Sequence, residues 1–256
     1  MSDPTPSLYD EQPQAQKPEA PSLLEQIVGV FMEPRDLFSR LRQRPVWVGA
    51  LLVTIAIVLA SMLVWAAKVD NAELTRHQMQ RTVDLFHVNI PDQAMDDAIS
   101  KADGKHPWLK AASSAVLATP FVYLIVALIV WGCASMATEE GEDSPTFGQA
   151  FSVTTIHYLV TLPSMFLAGL IALLRPVGGV EIQQLMPTTL SFYLQSESGL
   201  VRGLAALVDP LWIFSFVVLA IGMRQTLKTK TWGVALCLGF FGVFGIGFRI
   251  LGGLFQ

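Results

Sequence analysis

Read as a succession of apolar and polar positions, the chain falls into a polar opening, a short amphipathic stretch, and five apolar runs parted by loops of contrasting character. The runs lie at about 46–67, 112–137, 149–174, 204–223 and 232–255. Each is close to the ~20 residues that a helix needs to cross the hydrocarbon of a bilayer. Lipid offers no partner to a free backbone N–H or C=O, and the runs are too long for barrel strands, so each is expected to be a helix. The predicted fold class is all-α: a polytopic membrane protein, a bundle of five transmembrane helices with short amphipathic interfacial helices ahead of it.

The polar segments carry patterns of their own. Residues 1–22, rich in Pro, Gln and acids, bear too little apolar surface to pack and are expected to form a disordered tail. Residues 23–45 pattern as two amphipathic helices. Ser22 and Glu25 have the spacing of a capping box, and Leu24, Ile27, Val28 and Phe31 then share a face. Pro34 suits the first turn of the second helix, where Leu37, Phe38 and Leu41 align opposite Arg35, Arg40, Arg42 and Arg44. Such a pair fits an anionic membrane surface; the alternative is an elbow packed on the bundle. Residues 68–110 form a polar insert with two amphipathic stretches, "AELTRHQMQRTVDLF" and a helix opening at Pro91 or Asp92. Residues 175–203 suggest a re-entrant or surface-lying segment. The 138–147 loop holds four acids and no base, and "RQTLKTKT" at 224–231 is short and basic.

Charge orients the bundle. Arg35, Arg40, Arg42 and Arg44 precede the first span, and Arg224, Lys228 and Lys230 lie between the fourth and fifth. Five spans place both groups on one side, which the positive-inside rule makes cytoplasmic, so the C-terminus is expected outside. The insert's Lys68, Arg76, Arg81, Lys101, Lys105 and Lys110 argue the other way, but in a longer loop. No cleavage pattern follows the first run, which is expected to be a retained anchor. A net charge of −4 argues against nucleic acid as a partner. Cys133 and Cys237 both fall in apolar runs and read as packing residues.

The chain carries no catalytic motif: no P-loop, no HExxH, no GxSxG, and no Rossmann-type glycine spacing after a strand. No cofactor and no metal is expected. His77, Asp84 and His87 fall near one helix face but are spaced as chance would allow. The third span is the polar one, with Ser152, Thr154, Thr155, His157, Tyr158, Thr161, Pro163 and Ser164. Pro163 is expected to kink it and free a carbonyl. These groups would either line a path for a small solute or ion or hydrogen-bond across helices. Gly239, Gly242, Gly245 and Gly247 in the last span read as points of close helix approach. Arg249 is expected to snorkel to the interface. Asp209, before Pro210, reads as the N-cap of the fourth span, with a partner or lipid-headgroup contact as the alternative.

The order of these features resembles the bacterial branch of the Yip1 family. "FMEPRDLFSRLRQRPVWVGALL" is similar to that branch's opening: amphipathic stretch, Pro, aromatic, second Pro, first span. Phe147, Ala150, Phe151 and Pro163 match its Phe-x-x-Ala-Phe run and intramembrane Pro. Asp209, Trp212, Ile221, Gly222 and Thr229 or Thr231 match its most recognisable segment. The resemblance implies a five-span protein with a cytoplasmic N-terminus, in a bacterial inner (cytoplasmic) membrane, and implies no catalytic residue. Eukaryotic relatives bind Rab-type GTPases and carry Asp-Leu-Tyr-Gly-Pro ahead of the spans; that motif is absent here, so GTPase binding is not carried over. The expected role is a non-enzymatic scaffold or accessory factor. It would act through membrane lipid, a membrane-protein partner or homo-oligomer, and possible contact with an ABC-type exporter. A transporter or channel along the third span is the alternative.

Overall fold

A computed structural model describes residues 19–87, 89–103, 107–194 and 198–255. Nearly all of the expected tail lies outside them. The described residues fold as helices, with two isolated bridges as their only β pairing. In chain order the helices are α1 (Leu23–Met32), α2 (Pro34–Gln43), α3 (Val48–Ala66), α4 (Asn71–Phe86), α5 (Asp92–Asp103), α6 (Pro107–Ser113), α7 (Thr119–Met136), α8 (Phe147–Tyr158), α9 (Leu162–Leu174), α10 (Gly199–Leu207), α11 (Pro210–Gln225) and α12 (Thr231–Phe255).

Four segments are long and apolar enough to cross a membrane: Val48–Ala66, Ala111–Met136, Phe147–Leu174 and Thr231–Ile250. The second includes a π-turn at Ser114–Ala118 just before Pro120. There the widened turn absorbs the hydrogen bond that proline cannot make. The third joins α8 and α9 through a 3₁₀ turn at Leu159–Thr161, followed by Pro163 in the first turn of α9. Half of its window is buried, against 17% for the first and last spans, so it is the central helix of the bundle.

The fourth apolar run differs from its expected form. In place of an unbroken helix over 204–223, α10 and α11 meet at 45°. The reason lies in Asp209–Pro210. Proline excludes the preceding residue from the helical region, and Asp209 adopts φ −135°, ψ 103°. α11 therefore starts at Pro210, with Asp209 as its cap. Residues 175–203, expected to be re-entrant or surface-lying, form short 3₁₀ turns at Ile182–Leu185 and Leu190–Phe192 before α10. A Cβ on Gly203 would meet the backbone of Ile250 at 3.0 Å, so α10 lies directly on the end of α12.

The two ends of the bundle are each tied across the chain. At the end carrying the insert, Val69 bridges Gly178 and Asp70 N–H donates to Gly178 O at 2.9 Å. The Asp70 carboxylate also caps α4, accepting from Glu73 N–H at 2.9 Å. At the opposite end, Thr138 bridges Thr229, and Glu139 N–H donates to Lys228 O at 2.9 Å. Acids of the 138–147 loop face bases from elsewhere: Arg42 with Glu142, Arg224 with Glu139 at 3.0 Å, and Lys230 with Glu140 at 2.9 Å. The exposed Glu140 carboxyl is held below its ordinary value by the hydrogen bond from Lys230.

α1 and α2 divide the two roles weighed for them. Leu37, Phe38 and Leu41 of α2 are at most 1% exposed and belong to the main core. α2 is thus the elbow packed on the bundle. α1 keeps Leu24, Val28 and Met32 exposed, as a surface-lying helix requires. Its start is the capping box that the sequence indicates: Ser22 N–H donates to Glu25 at 2.6 Å and Glu25 N–H to Ser22 Oγ at 3.3 Å. Arg40 of α2 reaches back to Glu25 at 3.0 Å.

The seat of α2 is Gly222 on α11. A Cβ there would stand 2.6 Å from Val153 Cγ1 and 3.1 Å from the Phe38 ring. Alanine ordinarily favours a helix over glycine by about 1 kcal/mol. At this position we predict that Gly222→Ala instead lowers stability, by roughly 1–3 kcal/mol from overpacking, seen as a lower unfolding temperature in detergent. An unchanged or raised temperature would show that the approach is looser than described.

Candidate functional site

The residues singled out in the sequence fall into three places. Pro34 occupies the first turn of α2, as expected. With Gly222 it belongs to the α2–α8–α11 junction, where Thr226 Oγ1 also donates to Phe38 O at 2.7 Å. Gln149 extends the same junction. It completes a capping box with Thr146 at the start of α8, and its Nε2 donates to Arg42 O at 2.8 Å. A cleft of about 350 Å³ opens beside it, lined by Arg42, Asp143, Thr146, Gln149, Thr226 and Lys228 among others. Neither the Gln149–Arg42 contact nor the Thr226–Phe38 contact is marked in the sequence, because the partners are 107 and 188 positions apart; the local Thr146–Gln149 capping box is a signal that could have drawn attention to Gln149.

The second place is the central span. Its sequence predicts that its polar groups line a path or bond across helices. Most instead bond to their own helix. Ser152 Oγ donates to Gly148 O at 2.8 Å, Thr155 Oγ1 to Phe151 O at 2.9 Å, and Thr161 Oγ1 to Tyr158 O at 2.9 Å. His157 Nδ1 lies 2.9 Å from Thr154 O. In an apolar medium a hydroxyl finds its nearest acceptor in the preceding turn, and the cost of leaving it unpaired is then avoided locally. One contact does leave the span: Ser164 Oγ meets Thr188 Oγ1 at 2.6 Å. Thr154 Oγ1 is buried without a hydrogen-bond partner among the described residues. The His157 ring packs on Tyr158, which stacks on Tyr123 of α7 at 4.3 Å between centroids. Pro163 lies just past the 3₁₀ turn, in the first turn of α9.

The third place is the α10–α11 bend. Asp209 Oδ1 accepts from Leu211 N–H at 3.1 Å and Trp212 N–H at 3.4 Å, so it is the N-cap the sequence indicates. Its other oxygen does more. Arg249 of α12 donates to Asp209 Oδ2 at 3.3 Å and also to Ala206 O, with its guanidinium 4.5 Å from the centre of the Trp212 ring. Arg249, expected to snorkel to the interface, thus finds its partners within the chain, at the start of α11 and the end of α10. A 95%-buried carboxylate with one oxygen left over from capping requires a cation, and Arg249 supplies it. Trp212 also closes over Gly245, where a Cβ would meet the indole at 2.9 Å. Gly239, Gly242 and Gly247 behave differently from Gly245. Among the described residues nothing within 4 Å would meet a Cβ at any of them, so there they are not points of close approach.

Cys133 and Cys237 are free thiols in the main core, consistent with packing. Among the described residues no group of three His, Cys, Asp or Glu stands together as metal ligands, and the Asp84 side chain lies outside them. The arrangement is thus one of structural junctions, each joining elements distant in sequence. We predict that Asp209→Ala lowers stability by roughly 2–5 kcal/mol, through loss of the cap and of the partner to Arg249. Asp209→Asn should cost less, because its amide oxygen still caps α11. Thermal unfolding in detergent distinguishes them, and equal losses would count against the cap.

These junctions involve the residues by which the sequence resembles a known family, and direct comparison gives the same answer. The Yip1 domain matches residues 28–251. The chain is 24% identical over 241 residues to "Membrane protein YknW" of Bacillus subtilis (strain 168), an alignment covering 93% of this chain and 92% of that one. No solved structure matches. With its apolar helices and a domain match over most of its length, the chain is a multi-pass membrane protein that belongs to the Yip1 family.

Proposed function

We propose that this protein is a non-enzymatic scaffold or accessory factor that docks another membrane protein, or a second copy of itself, along the outward face of α12. The observation that carries this reading is the placement of Gly239 and Gly242. Each glycine in a helix interior costs about 1 kcal/mol relative to alanine. Among the described residues nothing approaches a Cβ at either one within 4 Å, while Leu236 and Val243 beside them are exposed. Small residues on a lipid-facing helix let a second backbone come close, which is how helices associate where the hydrophobic effect offers no drive between them. An ABC-type exporter is one partner that the family resemblance suggests. The proposed setting is a bacterial inner membrane, with the α1–α2 end cytoplasmic.

Transport along the central span draws less support, since its hydroxyls are mostly committed to their own backbone. Crosslinking in native membranes tests the docking reading. We predict a discrete adduct for the unaltered protein, reduced at least about tenfold in Gly239→Leu/Gly242→Leu, a loss of ~1.4 kcal/mol or more in association. The same variant should keep its unfolding temperature. An unchanged adduct pattern would contradict the proposal.

A further inference from the structure

A groove of about 410 Å³ runs between α1 and α2. Its floor is the contact of the two helices at Gly29, where a Cβ would stand 3.5 Å from Leu37 Cβ. Its α1 wall is apolar: Leu24, Val28 and Met32 line it at i, i+4 and i+8, and all three are exposed. The rest of the lining is charged. Glu25, Glu33 and Asp36 supply three carboxylates against the single guanidinium of Arg40. That guanidinium is divided between Glu25 at 3.0 Å and Asp36 at 3.3 Å. The Glu33 carboxylate makes no hydrogen bond or ion pair among the described residues. The groove therefore combines an open apolar wall with an excess of negative charge on the same face.

We propose that this groove docks a basic amphipathic helix of a partner protein. The apolar stripe of such a helix would lie along Leu24, Val28 and Met32, and Lys or Arg beside the stripe would meet Glu33 and relieve Arg40 of one of its two acids. Charge disfavours the other occupants. A helix lying on an anionic bilayer flanks its apolar stripe with Lys and Arg. α1 has neither, and the carboxylates of the groove would repel anionic headgroups. The segment ahead of α1 carries Asp3, Asp10, Glu11 and Glu19 against Lys17, the same sign as the groove. A second copy meeting groove to groove would set acid against acid. The groove shares no residue with the α12 face, so either docking surface can fail alone.

The test places benzoylphenylalanine at Val28 of the full chain, photocrosslinks in native membranes and reads the joined segment by mass spectrometry. We expect a segment of another protein in which Lys or Arg flanks an apolar row at helical spacing. Its yield should fall about tenfold in Glu33→Lys/Asp36→Lys, as reversal of charges at an interface implies. Glu33→Gln/Asp36→Asn should give an intermediate yield at an unchanged unfolding temperature, which keeps the test decisive if the reversed variant misfolds. Asp97→Lys, an equal reversal at an exposed position of α5, should leave the yield as it was. The proposal is overturned by crosslinks to lipid alone, to a second copy or to residues 1–18, by a captured segment without the basic amphipathic pattern, or by no adduct. It is also overturned if Glu33→Lys/Asp36→Lys leaves the yield unchanged, or if Asp97→Lys lowers it as much.

Discussion

The close approach at Gly222 is the constraint on which the bundle's organisation rests. Three elements converge there: the Phe38 ring from α2, Val153 from the central span, and the backbone of α11. Without a side chain at 222, Phe38 reaches full burial and its carbonyl accepts from Thr226. This contact turns an amphipathic segment ahead of the membrane domain into part of its core. Arg40 and Arg42, carried on α2, are then placed to meet Glu25 and Glu142. These surface pairs are worth little singly. Their consequence is positional, because they fix the 138–147 loop and α1 against a helix that is itself fixed.

The bend at Asp209 does comparable work at the other end. Proline stops the helix, the aspartate restarts it, and the unused carboxylate oxygen recruits Arg249 from α12. The polar group needed to break a membrane helix thereby becomes the link between two crossings. α10 lies on the end of α12 beside this pair. The central span makes the opposite choice and turns its hydroxyls back on its own backbone, which leaves its outer surface free for tight apolar packing.

What the sequence discloses follows from which forces are local. The spans are legible because lipid forces each apolar run of this length to satisfy its backbone internally. The caps at Ser22 and Asp209 depend on spacings of two or three residues, and the structure has both. The break in the fourth span was also written in Asp209–Pro210, although the apolar run continuing from 204 conceals it. Other features carry no local mark. Arg249 finds Asp209 across 40 positions, and Thr226 finds Phe38 across 188. Gly222 and Gly239 sit in equally apolar surroundings, yet one faces the core and the other faces outward. A helix that is apolar all round has no stripe to reveal which side is packed.

The most direct measurement is hydrogen–deuterium exchange of residues 34–43 with the protein in lipid nanodiscs. If α2 is a core element seated on Gly222, its amides will exchange as slowly as those of the central span, and more slowly than those of α1. Exchange of 34–43 at the rate of a frayed surface helix, with the central span still protected, would contradict the placement of α2 in the core.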